Sequence, residues 1–245
     1  MSHTIHGQRV VVLGGSSGIG YAIAQQSLAQ GALVTITGRD ESRLDTARKQ
    51  LSNVSTARFD VNDLNALTDF LDAIDGPIGH IFIGAGAPLY SRLDQLDVAD
   101  ARSAVADSVS LTLCLAKNAA PIMSPGGTMT FMGGTSARIP APGMSVINAT
   151  MGSSSALVKA LALEIAPVRI NQIAAGFVDT PLSARLLGDA LDQRRADLRK
   201  HLPIRRVVTA DDVAALALHL MVNTAVTGAV FDIDGGQQLL PPVGA

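Results

Sequence analysis

Between Gly14 and Gly20 the chain reads Gly-Gly-Ser-Ser-Gly-Ile-Gly. The chemistry such a run can do is to hold an anion. Glycines let a pyrophosphate come close to the backbone, and the N–H groups of a helix start, with the positive end of its dipole, point at one spot. The pattern carries this meaning only with a strand before it and a helix behind it. Both are present. Residues 10–13 form an apolar, β-branched run of strand length, and Ile19, Ala22, Ile23 and Leu28 recur at helical spacing.

The elements that must hold this turn alternate along the whole chain. Strands are read at 10–13, 33–37, 56–59, 80–83, 128–132, 168–173 and 229–233. Between them fall helices at 41–51, at 63–74 after a cap at Asn62 or Asp63, at 99–123, at 147–165, and at 211–221 after Thr209. Pro125-Gly126-Gly127 is expected to stop the long helix, and 133–145, with Pro140 and Pro142, to be irregular. Seven strands in alternation with helices predict an α/β fold with a doubly wound parallel sheet, right-handed crossovers and helices on both faces. No repeat or low-complexity linker divides it, so one domain is expected over 1–245.

Composition narrows the partners. Hydrophobic residues make up 47% and charged ones 16%, which suits a sheet covered on both faces. A net charge of −2 without a Lys/Arg cluster argues against nucleic acid. No apolar run is read as membrane-spanning and the N-terminus is polar, so no membrane partner is expected. Cys114 is the single cysteine, which fits a cytoplasmic chain. The five histidines are scattered without ligand spacing, and no metal site is expected.

These motifs together resemble the short-chain dehydrogenase/reductase family over nearly the whole chain. Its TGxxxGxG motif corresponds to 13–20, with Leu13 in the Thr place. Its Asp after the third strand matches Asp60, followed by Val61. Its NNAG corresponds to Ile83-Gly84-Ala85-Gly86, without either asparagine. Its PGxxxT turn corresponds to Ala175 through Gly176, Val178 and Thr180, and its TGxxxxVDGG to Thr227-Gly228 through Asp234-Gly235-Gly236. The resemblance implies a Rossmann-type sheet of about seven strands and a nicotinamide cofactor held by Gly14, Ser16, Ser17, Gly18, Ile19, Gly20, Asp60, Val61, Gly84, Ala85, Gly86, Gly176, Val178 and Thr180. At the end of the second strand an acidic residue would accept hydrogen bonds from an NAD ribose; Thr37-Gly38 is followed instead by Arg39. A guanidinium there suits a 2′-phosphate in charge and fork geometry, so NADP(H) is favoured over NAD(H).

Catalysis departs from the family. A Tyr serves there as general acid/base, with a Lys one turn on to lower its pKa, a Ser to hold the substrate oxygen, and an Asn in the preceding helix. Registered on Ala160 to Glu164, the first three positions fall on Ile147, Met151 and Gly134; the Asn, counted back from Pro121, falls on Ser108. The only tyrosines are Tyr21 and Tyr90, so no shift of register restores the pattern. Lys159 lies twelve residues beyond Ile147, roughly 18 Å along a helix. Thr135, Ser136 and Tyr90 remain as candidate hydrogen-bonding groups, each with a plainer role as a loop residue.

Three readings follow. The first is an NADP(H)-dependent oxidoreductase with a non-standard site, acting on a carbonyl or activated double bond of a small molecule. The second is a cofactor-binding sensor or partner subunit without turnover, and the third a non-redox enzyme in the same pocket. The resemblance also implies a homodimer or homotetramer through the two long helices, and a substrate lid at about 182–202.

Overall fold

The computed structural model describes residues 4–86 and 88–240; the two ends of the 1–245 span, and Ala87 after the fourth-strand glycines, lie outside them. Among the described residues there are nine strands: β1 (Arg9–Leu13), β2 (Leu33–Gly38), β3 (Ser55–Arg58), β4 (Ile78–Ile83), β5 (Met123–Gly134), β6 (Arg169–Ala175), β7 (Val178–Asp179), β8 (Val208–Thr209) and β9 (Val230–Ile233). The helices are α1 (Gly18–Ala29), α2 (Glu41–Gln50), α3 (Leu64–Asp72), α4 (Val98–Ala119), α5 (Ser145–Glu164), α6 (Pro181–Leu187), α7 (Leu191–His201) and α8 (Ala210–Val222). Seven strands form one parallel sheet in the order β3-β2-β1-β4-β5-β6-β9. The order reverses at β1, which leaves a crevice between the outgoing connections of β1 and β4, where such sheets bind their ligands.

Burial explains the unbroken apolar strands. Side chains alternate across a strand, so Val10 and Val12 meet Ile23 of α1 and Val213 and Ala217 of α8, on the face that α2 also covers. Val11 and Leu13 face the opposite way, toward Leu67 of α3, Leu111 and Leu115 of α4, and Val158 and Leu161 of α5. With both faces covered, neither parity can be polar.

Several expected boundaries move, each for a local reason. Helix α4 ends at Ala119 rather than 123, because Pro121 has no N–H for the next turn and a 3₁₀ turn, Ala120–Ile122, replaces it. The chain is already in β5 at Met123, so Pro125-Gly126-Gly127 lies inside a strand whose register shifts between Ile78 and His80. The stretch 133–145 is partly regular: Gly133-Gly134 complete β5, and Thr135–Arg138 make a 3₁₀ turn. Helix α5 starts at Ser145, two residues before the expected start at 147. Asp63, not Asn62, caps α3 through the N–H groups of Asn65 and Ala66. The segment 182–202 is helical, forming most of α6 and all of α7. A small parallel pair, β7 with β8, joins its two ends; two residues per strand are too few for alternation to be read.

Against expectation, among the described residues one helix, Ser145–Glu164, is long and apolar enough to cross a membrane by length and composition, with a third of its most apolar stretch buried. Its hydropathy is spread over Val146, Ile147, Met151, Leu157, Val158, Leu161, Leu163 and four alanines, interrupted by serines, Asn148 and Lys159, so no continuous apolar run announces it.

The N-terminal end of the sheet holds buried polar groups. Arg169, 6% exposed, donates from Nε to Gly126 O, from Nη1 to the carbonyls of Leu220, Asn223 and Val226, and from Nη2 to that of Met221. Most of these carbonyls close the C-terminus of α8, whose dipole favours a cation. Nearby, His80 Nδ1 lies 2.9 Å from Thr128 Oγ1, while its Nε2 is buried without a partner. Burial, and then the charge of Arg169, lower the His80 pKa from 6.5 to about 4. The folded imidazole therefore binds its proton less readily than the unfolded one. Its stabilising contribution is complete above pH 6.5 and falls with pH through the window down to about 4, by roughly 3 kcal/mol in all. Urea unfolding midpoints are expected to drop between pH 6.5 and 4.5, and His80→Phe to flatten that drop. An equal slope in the variant would remove His80 as its source.

Candidate functional site

Everything singled out for binding converges on the C-terminal edge of the sheet. The backbone of β1 runs into Gly14 at φ +90°, where an added Cβ would lie 2.9 Å from the Ala85 nitrogen; a residue without Cβ allows the two turns to touch. Gly84 N–H donates to Leu13 O at 2.9 Å and fixes that second turn. A Cβ on Gly20 would overlap the Gly14 carbonyl oxygen, so helix and turn are packed backbone against backbone. Helix α1 then begins with no side-chain cap from Ser17 and no acidic residue in its first turn. By contrast Asp40, Asp63, Asp97 and Thr209 cap α2, α3, α4 and α8. Uncapped N–H groups and an uncompensated dipole at a glycine turn make an anion cradle.

The far wall comes from β6. Gly176 N–H donates to Ile233 O at 3.3 Å, and a Cβ on Gly176 would sit 2.7 Å from that of Asp234, so the chain turns tightly against the end of β9. Val178 is buried, and Thr180 caps α6 in a reciprocal box with Ser183. Thr180 also stands over the cradle, its Cβ and Cγ2 each 3.6 Å from where a Gly18 Cβ would be. Ile19 packs on the α1 face of the core and Val61 is buried on the other face.

At the ends of β2 and β3 the structure assembles a rim of three arginines, each paired with an exposed carboxylate. Arg39 Nη1 is 3.3 Å from Asp60 Oδ2, with side chains 70% and 40% exposed. Pairs this exposed contribute little, so the guanidinium can leave Asp60 at small cost. Gly38, with a would-be Cβ 3.4 Å from Ser16 Oγ, keeps the space between strand end and glycine turn clear. Sequence reading missed two more members. Arg58 pairs in register with Gly38, donates from Nε to Arg39 O at 3.2 Å and reaches Glu41 at 3.5 Å; Arg43 reaches Asp40 at 3.4 Å. The signal for Arg58 lay in the β2–β3 register, which pattern alone does not give.

The half expected to carry chemistry is largely neutral. Gly134 ends β5, and a Cβ there would have Met151 Sδ and Ser136 Oγ each 3.8 Å away and Ala175 O at 3.6 Å. The structure thus brings together Gly134, Ser136 and Met151. Ile147 and Thr135 are buried at 6% and 4% exposure, and Ser108 is half-buried on α4. Among the described residues, the hydroxyls of Thr135 and Ser136 have no hydrogen-bond partner. Ser155 Oγ donates to Gln172 Oε1 at 2.8 Å, a part-buried pair the sequence did not signal, and the Gln172 side chain fills the space beside Gly133. Arg138 binds Asp232 and Gln238, tying the turn after β5 to β9 and the 3₁₀ turn that follows it. Tyr90 is 50% exposed; its loop is bonded to the one before α5 by Ser91 N–H to Gly143 O at 3.1 Å. No hydrogen bond links Tyr90 to Gly134, Ile147 or Met151 among the described residues. Burial raises its phenol pKa, opposite to what a general base needs. Among the described residues no group of three His, Cys, Asp or Glu can hold a metal.

A family model described as enoyl-(acyl carrier protein) reductase matches residues 14–238. The chain is a short-chain dehydrogenase/reductase. It is 28% identical over 253 residues to the short-chain dehydrogenase/reductase malC of Malbranchea aurantiaca, covering 96% of each. It is 30% identical over 250 residues to the 3-oxoacyl-[acyl-carrier-protein] reductase FabG of Chlamydia pneumoniae, covering 96% of this chain and 99% of that one. The solved structure of the Malbranchea aurantiaca protein, described as a reductase/Diels-Alderase, superposes with a TM-score of 0.89 over 96% of this chain and 98% of that one, at 27% identity. This short-chain dehydrogenase/reductase is thus an oxidoreductase of the family's type, and the family binds nicotinamide cofactors.

Proposed function

We propose that the chain is an NADP(H)-dependent oxidoreductase with a non-standard active site, reducing a carbonyl or activated double bond of a small molecule. The observation that carries this is the pairing of an uncapped α1 with a rim of Arg39, Arg43 and Arg58 where a 2′-phosphate would lie. Gly14 to Gly20 hold the pyrophosphate; Asp60 and Val61 border the adenine; Gly84, Ala85, Gly86, Gly176, Val178 and Thr180 line the path to the nicotinamide, which supplies the hydride chemistry.

Thr135 and Ser136, unpartnered beside Gly134, donate hydrogen bonds to a substrate oxygen. With Ile147 and Met151 at the positions of the family's Tyr and Lys, no phenol stands ready to hand over a proton, which water must then supply. A positioned general acid contributes roughly 10²–10⁴-fold, about 3–5 kcal/mol. An electrophilic ketone, an enone or an imine can forgo that help, whereas simple alcohol oxidation is expected to be slow. The expected result is NADPH consumption with members of a carbonyl, enone and imine panel. NADPH binding without consumption across the panel would favour the second reading, a sensor or partner subunit without turnover, which the lack of any tyrosine beyond Tyr90 also supports. The third reading draws support from the apolar Ile147–Met151 wall and from the Diels-Alderase description of the Malbranchea aurantiaca protein.

The reading includes a small-molecule substrate, a cytoplasmic location, no nucleic-acid or membrane partner, a single domain, and a homodimer or homotetramer. Leu113 on α4 and Leu163 on α5, exposed at 45% and 84%, support that assembly.

A further inference from the structure

One ion pair joins the α6–α7 segment to the cofactor turn. Arg195, on α7, donates from Nε to Asp179 Oδ2 and from Nη2 to Asp179 Oδ1, both at 2.8 Å. The two side chains are 29% and 27% exposed. This fork-to-fork geometry, partly screened from water, fixes direction as well as distance. Asp179 is the residue before Thr180, whose side chain stands over Gly18 and caps α6. The neighbouring contacts reinforce the link. Arg194 lies over the Phe177 ring at 5.9 Å, and Leu198, Leu202 and Val207 bury themselves against Phe177 and Leu240. Asp179 also belongs to β7, which pairs with β8 at the far end of the segment. The turn after β6 therefore carries both the residue over the cradle and the carboxylate that holds α7.

We propose that Arg195 is a positioning residue that couples closure of the α6–α7 segment to NADP(H) binding through Asp179. The coupling rests on the NADP(H) reading above. Holding Asp179 fixes the Thr180 turn over the glycine cradle; a bound dinucleotide, contacting that turn, in turn holds α7 down. Because such coupling is reciprocal, loss of the pair weakens the cofactor by the same factor by which the cofactor orders the segment. Asp192, the other carboxylate on Arg195, at 3.0 Å and 91% exposed, has no part in this.

The test uses full-length protein with Asp179→Asn, Arg195→Gln, both together, and Asp192→Asn. NADPH affinity is read by fluorescence, and opening of the segment by trypsin cleavage within 182–206, with and without NADPH. Asp179→Asn keeps every trypsin site in place. It is expected to raise the NADPH Kd roughly fivefold or more, to speed cleavage without cofactor, and to weaken the protection NADPH gives. Arg195→Gln should shift Kd alike, the double variant no further, and Asp192→Asn should do neither. Unchanged Kd in Asp179→Asn, or a Kd shift with no change in cleavage, overturns the coupling while leaving the cofactor reading intact. No NADPH binding by the unsubstituted protein overturns both.

Discussion

Gly20→Ala is expected to abolish measurable NADPH binding, raising Kd by about two orders of magnitude or more. The added methyl meets the Gly14 carbonyl oxygen, with the Gly14 carbonyl carbon at 2.9 Å and Gly15 Cα at 3.1 Å, all of them backbone. A flexible side chain could rotate away; the strand end and the glycine turn cannot, since Gly14 and Gly15 N–H both donate to Thr37 O. Relief must come from displacing α1 from the cradle, so the N–H groups no longer converge. Overpacking of this kind costs roughly 1–3 kcal/mol, a fall in Tm of about 2–10 °C at this size. The chain should still fold, and the binding loss should exceed the stability loss. Calorimetric titration beside a melting curve separates the two; a Kd within threefold of the parent would mean the cradle is not the anion site.

Arg169→Ala should have the largest effect on the fold itself. The guanidinium satisfies five carbonyls, those of Gly126, Leu220, Met221, Asn223 and Val226, while itself 6% exposed. Truncation leaves those acceptors facing a cavity and removes the cation from the end of α8. The expected cost is roughly 3–5 kcal/mol, out of the 5–15 that hold a typical domain. Helix α8 covers the face of the sheet that carries α1, so its loosening reaches the cradle through packing. Urea unfolding should show the loss, and Arg169→Lys, with three donors in place of five, should recover part of it. A loss under about 1 kcal/mol would show that water enters and takes over the carbonyls.

The legible parts of this protein are those written in local pattern. The apolar runs of β1, β4 and β6 and the glycine turn carry their meaning in consecutive residues, so the parallel α/β sheet and the strand-turn-helix unit at its start were legible, whereas the order of the strands came only with the fold. That no tyrosine follows Tyr90 was legible from composition alone. Other features depend on neighbours that only the fold supplies. Arg58 joins Arg39 through strand register, and the Ser155–Gln172 pair joins α5 to β6 across the site. The Arg195–Asp179 pair spans sixteen residues and two helices. Pro121 was visible in the sequence, yet Pro125-Gly126-Gly127 gave the stronger stop signal and misplaced the end of α4. Arg169 looks like an ordinary strand-end charge until α8 is packed over it.

Equilibrium binding of NADPH against NADH, for the unsubstituted protein and Arg39→Ala, tests the central claim most directly. NADPH should bind tighter than NADH by roughly tenfold or more, as one charge-assisted contact to the 2′-phosphate provides. Arg39→Ala should erase most of that difference and leave NADH binding nearly unchanged. Equal affinity for the two, or a preference for NADH that Arg39→Ala leaves untouched, would contradict the assignment of the arginine rim.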